Sequence, residues 1–322
     1  MTLSTNLSCH VLIADDVHPV LMKILEEKGV VCDYQPDITR EETLAMIENY
    51  EGLILRSKFK VDLPMLSAGE KLKFIGRAGA GMDNIDQASA LLKGIALFSA
   101  NEGNCDAVAE HMLGMLLALL NNTLRSDGEI RQGRWLREEN RGVELGGKTV
   151  GLIGYGHNGK AMARKLSGFN VKVIAYDKYK SGFEDEFADE VEMGEIFSQA
   201  DILSLHIPLS DETRGLVNKQ FIGRFDKPIY FLNGARGEVV EMAALVEGLE
   251  KGQIVGAGLD VLPVEKFPAL SEYDWFTRLK KCDNVLMSPH VAGWSVESYY
   301  KLSRFLASKI VEFVKTDLNK PQ

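Results

Sequence analysis

Three polar residues, each a short step beyond an apolar run, are the ones best able to do chemistry in this chain. They are Arg236 in Asn-Gly-Ala-Arg-Gly, Glu265 following Gly258-Leu-Asp260, and His290 in Ser-Pro-His. A histidine titrates near neutral pH, so it can take a proton and return it. A carboxylate bonded to the imidazole fixes its tautomer and favours the protonated form. A guanidinium stays charged and grips a carboxylate or keto oxygen in a fork. The set suits the removal of a hydroxyl proton from a small anion.

A second constellation supplies the other half of such a reaction. Gly154, Tyr155, Gly156, His157, Asn158 and Gly159 have the spacing G-x-G-x-x-G. An apolar run precedes them, a helical segment at 160–166 follows, and a second apolar run ends in Asp177, 18 residues after Gly159. In a dinucleotide site the first glycine permits the tight turn, the second lets the backbone approach the pyrophosphate, and the third lets helix and strand pack. The helix N-terminus offers unpaired N–H groups to the phosphates. A carboxylate at Asp177 accepts hydrogen bonds from ribose hydroxyls and repels a 2′-phosphate, which favours NAD over NADP. Lys178 and Lys180 leave room for some use of NADP.

Strand and helix patterns that alternate must carry these groups. Apolar runs at 11–14, 52–55, 72–76, 95–98, 149–153, 171–176, 201–205, 229–232, 257–261 and 284–287 read as strands. Helical spacing at 17–28 stops at Gly29, and a long helix is expected from about Cys105 to Asn121. Alternation of this kind argues for α/β architecture with parallel sheets. Arg236, Glu265 and His290 each follow a strand, at the edge where doubly wound sheets bind ligands. A nucleotide domain is expected over 102–289, inserted into a smaller substrate domain of 1–101 completed by 290–322.

The bulk properties narrow the function. The 322 residues are enough for about two domains. A net charge of -9 argues against a nucleic-acid partner. Four scattered cysteines, with no CxxC pair, argue against a metal site and a disulfide framework and suit a cytoplasmic protein. The N-terminus lacks a signal-peptide pattern. The longest apolar stretch, 112–120, is too short to span a membrane and reads as a buried helix.

With these residues in hand, the chain closely resembles the D-isomer-specific 2-hydroxyacid dehydrogenases, and among them the phosphoglycerate dehydrogenases. The resemblance covers nearly the whole chain. It rests on the segments above, on Arg77-Ala-Gly-Ala-Gly-Met-Asp-Asn-Ile-Asp86, on Asn104 followed by Val108-Ala-Glu-His111, and on Leu205-His-Ile-Pro-Leu209. It implies two Rossmann-like domains, the NAD-binding doubly wound sheet inserted into a flavodoxin-like substrate domain, with no metal. By resemblance His290 is the acid/base, Glu265 its partner and Arg236 the anion binder. Asp260 should lie beside the nicotinamide amide. His206, Pro208, Thr213, Val108, Ala235 and Gly293 should border the cofactor. The backbone of Gly79 and Ala80 should hold the substrate carboxylate, with Ser57 and Asn104 nearby. The family is usually dimeric or tetrameric through its nucleotide domain and long helix, and its two domains are expected to close over the substrate. His111, within the helical segment, and His157, within the glycine loop, weigh less.

The substrate is a small 2-hydroxy or 2-keto acid. Arg56 resembles the phosphate-contacting arginine of phosphoglycerate dehydrogenases, and Arg77 and Arg137 are similar to others near that pocket. Arg131, Arg134 and Arg141 add positive field suited to a dianion. Oxidation of 3-phosphoglycerate, in serine biosynthesis, is therefore expected, in a short form without the C-terminal serine-sensing domain, since the chain ends at Gln322. Arginine at the position of Arg56 also occurs in relatives with other substrates. The alternative is a glyoxylate or hydroxypyruvate reductase using the same three residues. A different class, an NAD-sensing corepressor that binds peptides, shares the fold. Measurable turnover beside peptide binding separates the two.

Overall fold

The computed structural model describes residues 9–318, which form two compact units. One runs to Asn104 and resumes at Trp294; the other is Cys105–Gly293. The sequence reading placed these divisions at 101/102 and 289/290. The shift at the second has a visible cause: the N–H groups of His290, Val291 and Ala292 are all bonded to Asp260, which keeps 290–293 with the nucleotide unit.

In the first unit, β1 (Cys9–Ile13), β2 (Val30–Tyr34), β3 (Gly52–Leu55), β4 (Phe74–Arg77) and β5 (Ala96–Ser99) form a parallel sheet in the order β2-β1-β3-β4-β5. This is the flavodoxin-like order. β2 escaped the sequence reading because Asp33 and Tyr34 interrupt its apolar run on an edge where only Val30 is buried. The helix Val296–Leu318 covers one face of this sheet with Leu302, Leu306, Ala307, Ile310 and Val311 against Val11, Ile13 and Phe74. Short helices begin where Thr39, Asp62 and Asp86 accept a backbone N–H from the first turn.

The second unit holds β6 (Thr149–Ile153), β7 (Lys172–Tyr176), β8 (Asp189–Glu190), β9 (Ile202–Leu205), β10 (Ile229–Asn233), β11 (Ile254–Leu259) and β12 (Val285–Met287). All pair in parallel, in the order β12-β11-β10-β9-β6-β7-β8. Strand order reverses between β6 and β9, and that crevice is where such sheets take ligands. β8, only two residues long and polar, carried no sequence signal. The helix Cys105–Leu120 buries Met112, Met115, Leu116, Leu119 and Leu120, the apolar stretch read above as a buried helix. Among the described residues no helix is long and apolar enough to cross a membrane, and no group of three His, Cys, Asp or Glu side chains could hold a metal ion.

The arginine-rich stretch after that helix differs from expectation. It contains a helix, Thr123–Arg131, and two of its charges are met locally by carboxylates. Arg131 pairs with Asp127 at 2.7 Å, Arg141 with Glu138 at 2.5 Å, and Arg134 donates to Gln132 at 3.0 Å. The fields of Arg131 and Arg141 are therefore offset at their source, while Arg134, bonded to a neutral amide, keeps its charge.

Candidate active site

The glycine turn sits at the carboxyl end of β6, and its geometry excludes side chains. Gly154 has φ +94°, in the left-handed region, and a Cβ there would lie 2.5 Å from the carbonyl oxygen of His206. A Cβ on Gly159 would lie 2.2 Å from the carbonyl oxygen of Gly154. The turn feeds directly into the helix His157–Leu166, so the backbone is bare where a pyrophosphate must approach. Tyr155 is buried and donates its hydroxyl to Asp185 at 2.8 Å; His157 is exposed and Asn158 half-buried. Asp177 directly follows β7. Its carboxylate accepts the N–H groups of Tyr155 (2.9 Å) and Tyr179 (3.0 Å), which fixes its orientation and leaves lone pairs for ribose hydroxyls.

The loop after β9 borders the same crevice. Thr213 Oγ1 donates to the Pro208 carbonyl at 2.7 Å and accepts the Ser210 N–H at 2.8 Å, closing the turn. The His206 ring bonds Ser204 Oγ through Nε2 at 3.0 Å, and burial pushes its pKa down to about 4, so the ring is neutral. Its Nδ1 is buried with no hydrogen-bond partner among the described residues, an orphan polar atom beside the turn that packs on it. The cradle and the orphan atom fit a dinucleotide.

At the carboxyl ends of β10, β11 and β12 lie the three residues read as chemistry. His290 Nδ1 is 2.9–3.0 Å from the two oxygens of Glu265, and both side chains are about half exposed, 46% and 45%. Arg236 follows β10, its Nη1 donating to the Ala235 carbonyl at 2.7 Å; Ala235 is held in turn by the side chain of Asn233 at 3.0 Å. A Cβ on Gly237 would lie 2.0 Å from the carbonyl carbon of Leu262. The Arg236 turn therefore packs directly on the segment leading to Glu265. Beside the His–Glu pair is a cavity of about 390 Å³ walled by Leu262, Val264, Phe267, Leu270, Phe276 and Met287.

Asp260 organises this end of the unit. Its carboxylate is only 2% exposed. It accepts Ser288 Oγ at 2.5 Å and the N–H groups of Val291 and Ala292, both at 2.9 Å, while its carbonyl accepts the His290 N–H at 2.7 Å. His290 is thereby held at φ +56°, a conformation a non-glycine residue seldom adopts. His111 Nε2 lies 2.9 Å from Ser288 Oγ and 3.7 Å from Asp260. Sequence reading gave His111 little weight and passed over Ser288; with 177 residues between them, no spacing rule brings the two together. Val108, one turn before His111 on the same helix, is buried, and Gly293 closes the unit.

The remaining expected residues fall differently. Arg137 lies in the nucleotide unit, lining a cavity of about 370 Å³ with Glu129 and Trp135. Arg56, Ser57, Arg77, Gly79, Ala80 and Asn104 lie in the other unit. There Asp15 Oδ2 accepts the N–H groups of Arg56, Ser57 and Lys58 at 2.9–3.1 Å, and Arg77 Nε donates to the Arg56 carbonyl at 3.0 Å. The Arg56 guanidinium lies 3.9 Å over the Trp294 ring and 3.6 Å from the Asp16 carboxylate, which also accepts the Tyr299 hydroxyl at 3.0 Å. The Gly79 N–H donates to the Arg77 carbonyl at 2.8 Å in a tight turn. Asn104 Oδ1 is buried without a hydrogen-bond partner among the described residues.

Comparison with known proteins follows the same lines. Residues 113–292 match the family described as D-isomer specific 2-hydroxyacid dehydrogenase, NAD binding domain. The chain is 32% identical over 307 residues to a D-3-phosphoglycerate dehydrogenase of Archaeoglobus fulgidus, covering 95% of this chain and 57% of the relative. It is 34% identical over 273 residues to a hydroxypyruvate reductase of Thermotoga maritima, covering 85% of this chain and 88% of the relative. The crystal structure of D-lactate dehydrogenase from Aquifex aeolicus complexed with NAD and lactic acid superposes with a TM-score of 0.80 at 25% identity, over 96% of both chains. The chain spans about half the length of the curated phosphoglycerate dehydrogenases it matches.

Proposed function

The chain belongs to the D-isomer specific 2-hydroxyacid dehydrogenases, and we propose that it interconverts a small 2-hydroxy acid and its 2-keto partner with NAD. The observation that carries this reading is the hydrogen-bonded His290–Glu265 pair at the same sheet edge, in the same unit, as the glycine turn. A nicotinamide held there would supply the hydride acceptor, or on reduction the donor, for the substrate C2. The turn from Gly154 to Gly159 is assigned the pyrophosphate and Asp177 the adenosine ribose. With Nδ1 on Glu265, Nε2 is the His290 nitrogen left to take the hydroxyl proton on oxidation and return it on reduction. Glu265 orients the ring and stabilises its cationic form, and Arg236 holds the carboxylate or polarises the keto oxygen.

For the substrate we infer 3-phosphoglycerate, oxidised to 3-phosphohydroxypyruvate. Support comes from several relatives named D-3-phosphoglycerate dehydrogenase that align over about 95% of this chain. A second reading, reduction of hydroxypyruvate or glyoxylate, is favoured by one observation. The Arg56 guanidinium, the group expected to take a phosphate, already has Asp16 and Trp294 against it. That carboxylate weakens its pull on a dianion. A homodimer or homotetramer through the nucleotide unit is part of the proposal, supported by exposed Leu124, Ile130 and Trp135 after the long helix.

The deciding experiment is steady-state NADH oxidation with 3-phosphohydroxypyruvate, hydroxypyruvate and glyoxylate side by side. A kcat/KM about 10²-fold or more higher for the phosphorylated acid supports the first reading. Equal or better use of the unphosphorylated acids overturns it in favour of the second. No turnover with any of the three removes both.

A further inference from the structure

Two lysines follow Asp177, and an available ammonium at that position is what a ribose 2′-phosphate would need. The structure gives both of them other partners. Lys178 Nζ donates to the Glu212 carboxylate at 2.7 Å, and the Tyr179 hydroxyl donates to the same oxygen. Lys180 Nζ donates to the carbonyl of Tyr155, within the glycine turn, at 3.0 Å.

Glu212 is not adjacent to these residues in the chain or in the sheet. It stands on the loop after β9, the lysines on the loop after β7, and β6 lies between those strands. The Lys178–Glu212 pair therefore crosses the carboxyl end of β6, where the glycine turn sits. The loop that carries Glu212 is itself fixed by the Thr213 bonds to Pro208 and Ser210. The lysine and tyrosine donors hold the Glu212 carboxyl below its ordinary range, and the Glu212 bond raises the Lys178 ammonium above its own. Both side chains are more than half exposed, so the pair adds little to stability. Its effect falls on what binds beneath it.

We propose that Glu212 is a determinant of the preference for NAD over NADP, acting through Lys178. It engages the ammonium that would otherwise attract a 2′-phosphate. The inference rests on the assignment of Asp177 to the adenosine ribose. It adds a discriminating residue some 35 positions away, outside the β-G-x-G-x-x-G-α-β-D unit.

The test is binding, without substrate. Dissociation constants for NADH and NADPH are measured by titration calorimetry, with nicotinamide fluorescence as a cross-check. The proteins are the wild type, Glu212→Gln, Lys178→Ala, the double variant and Asp177→Ala. The wild type should favour NADH. Glu212→Gln should tighten NADPH about tenfold and leave NADH within about twofold, as expected for an exposed charge released beside a phosphate. Adding Lys178→Ala should abolish the gain. An unchanged NADPH/NADH ratio in Glu212→Gln, or a gain that survives loss of Lys178, overturns the proposal. If Asp177→Ala also leaves the ratio unchanged, the ribose assignment itself is refuted. A shift in Asp177→Ala with none in Glu212→Gln refutes Glu212 alone.

Discussion

Replacing Asp260 by asparagine changes one atom and should release the segment that carries His290. The wild-type carboxylate satisfies three donors: Oδ1 takes Ser288 Oγ and the Val291 N–H, and Oδ2 takes the Ala292 N–H. An asparagine has one acceptor oxygen and one amide nitrogen. If its oxygen keeps Ser288 and Val291, its NH₂ faces the buried Ala292 N–H. If it flips, the NH₂ faces the Val291 N–H. In either orientation one backbone donor loses its charge-assisted bond and is left unsatisfied. Holding the segment in place then costs roughly 1–3 kcal/mol. His290 at φ +56° already strains it by ~1–2 kcal/mol. Both contributions relax if 288–292 moves, so movement wins. A shift of ~1 Å in a proton-transfer group costs about 10²-fold in rate. The assays are kcat, NADH affinity, and hydrogen exchange at the Val291 and Ala292 amides in the cofactor-free protein. Asp260→Asn should lose kcat about 10²-fold and lose protection at both amides, with any change in NADH affinity reporting the contact expected between this residue and the nicotinamide amide. Wild-type protection at both amides, with kcat within about threefold, refutes the claim that this carboxylate holds His290.

Two further outcomes follow from the same geometry. His290→Ala should cut kcat by ~10²–10⁴ while NADH binds normally, the usual worth of a general acid/base; near-normal turnover removes the assignment. His206 is held neutral by burial, with its pKa depressed from 6.5 to about 4. Its contribution is therefore fully present above about pH 6.5 and lost as pH falls toward about 4, because the unfolded chain binds the proton first. Urea unfolding of the wild type should lose stability over that window by at most about 3 kcal/mol more than a His206→Gln variant loses. Parallel pH profiles for the two proteins contradict the buried, neutral ring.

The parts of this fold that were legible in the sequence are those where one physical requirement dominates. A strand buried on both faces must be apolar nearly throughout, so β3 and β6, and β9 broken only by Ser204, stood out as apolar runs, each fully or almost fully buried. A turn that admits no Cβ must be glycine, so the 154–159 segment announced itself. The edge strands β2 and β8 meet no such demand and carried no signal. Within the site, Arg236, Glu265 and His290 were legible because each follows a strand in order along the chain. Asp260 was legible too, but its link to Ser288 and His111 was not, because that link exists only once the helix Cys105–Leu120 packs on the sheet.

The arginines show why residue type alone misjudges charge. A positive site for a dianion was inferred from Arg56, Arg77 and Arg137 with Arg131, Arg134 and Arg141, yet a guanidinium attracts an anion in proportion to the net charge around it. Arg131 and Arg141 have carboxylates within 2.7 Å, three or four residues away, and Asp16 lies 3.6 Å from Arg56. Those carboxylates were visible in the sequence as Asp127, Glu138 and Asp16. Helical spacing at i, i+3 and i, i+4 could have flagged the first two. Asp16 required the fold, since it reaches Arg56 only because β1 and β3 are neighbours in the sheet. Asp16 is thus the residue whose removal should reveal what Arg56 is for. In Asp16→Asn, kcat/KM for 3-phosphohydroxypyruvate should rise relative to that for hydroxypyruvate by about three- to tenfold if Arg56 faces the substrate phosphate, the range expected for one partly exposed charge. An unchanged ratio would place Arg56, Asp16 and Trp294 together as structural packing and leave the phosphate without its expected partner.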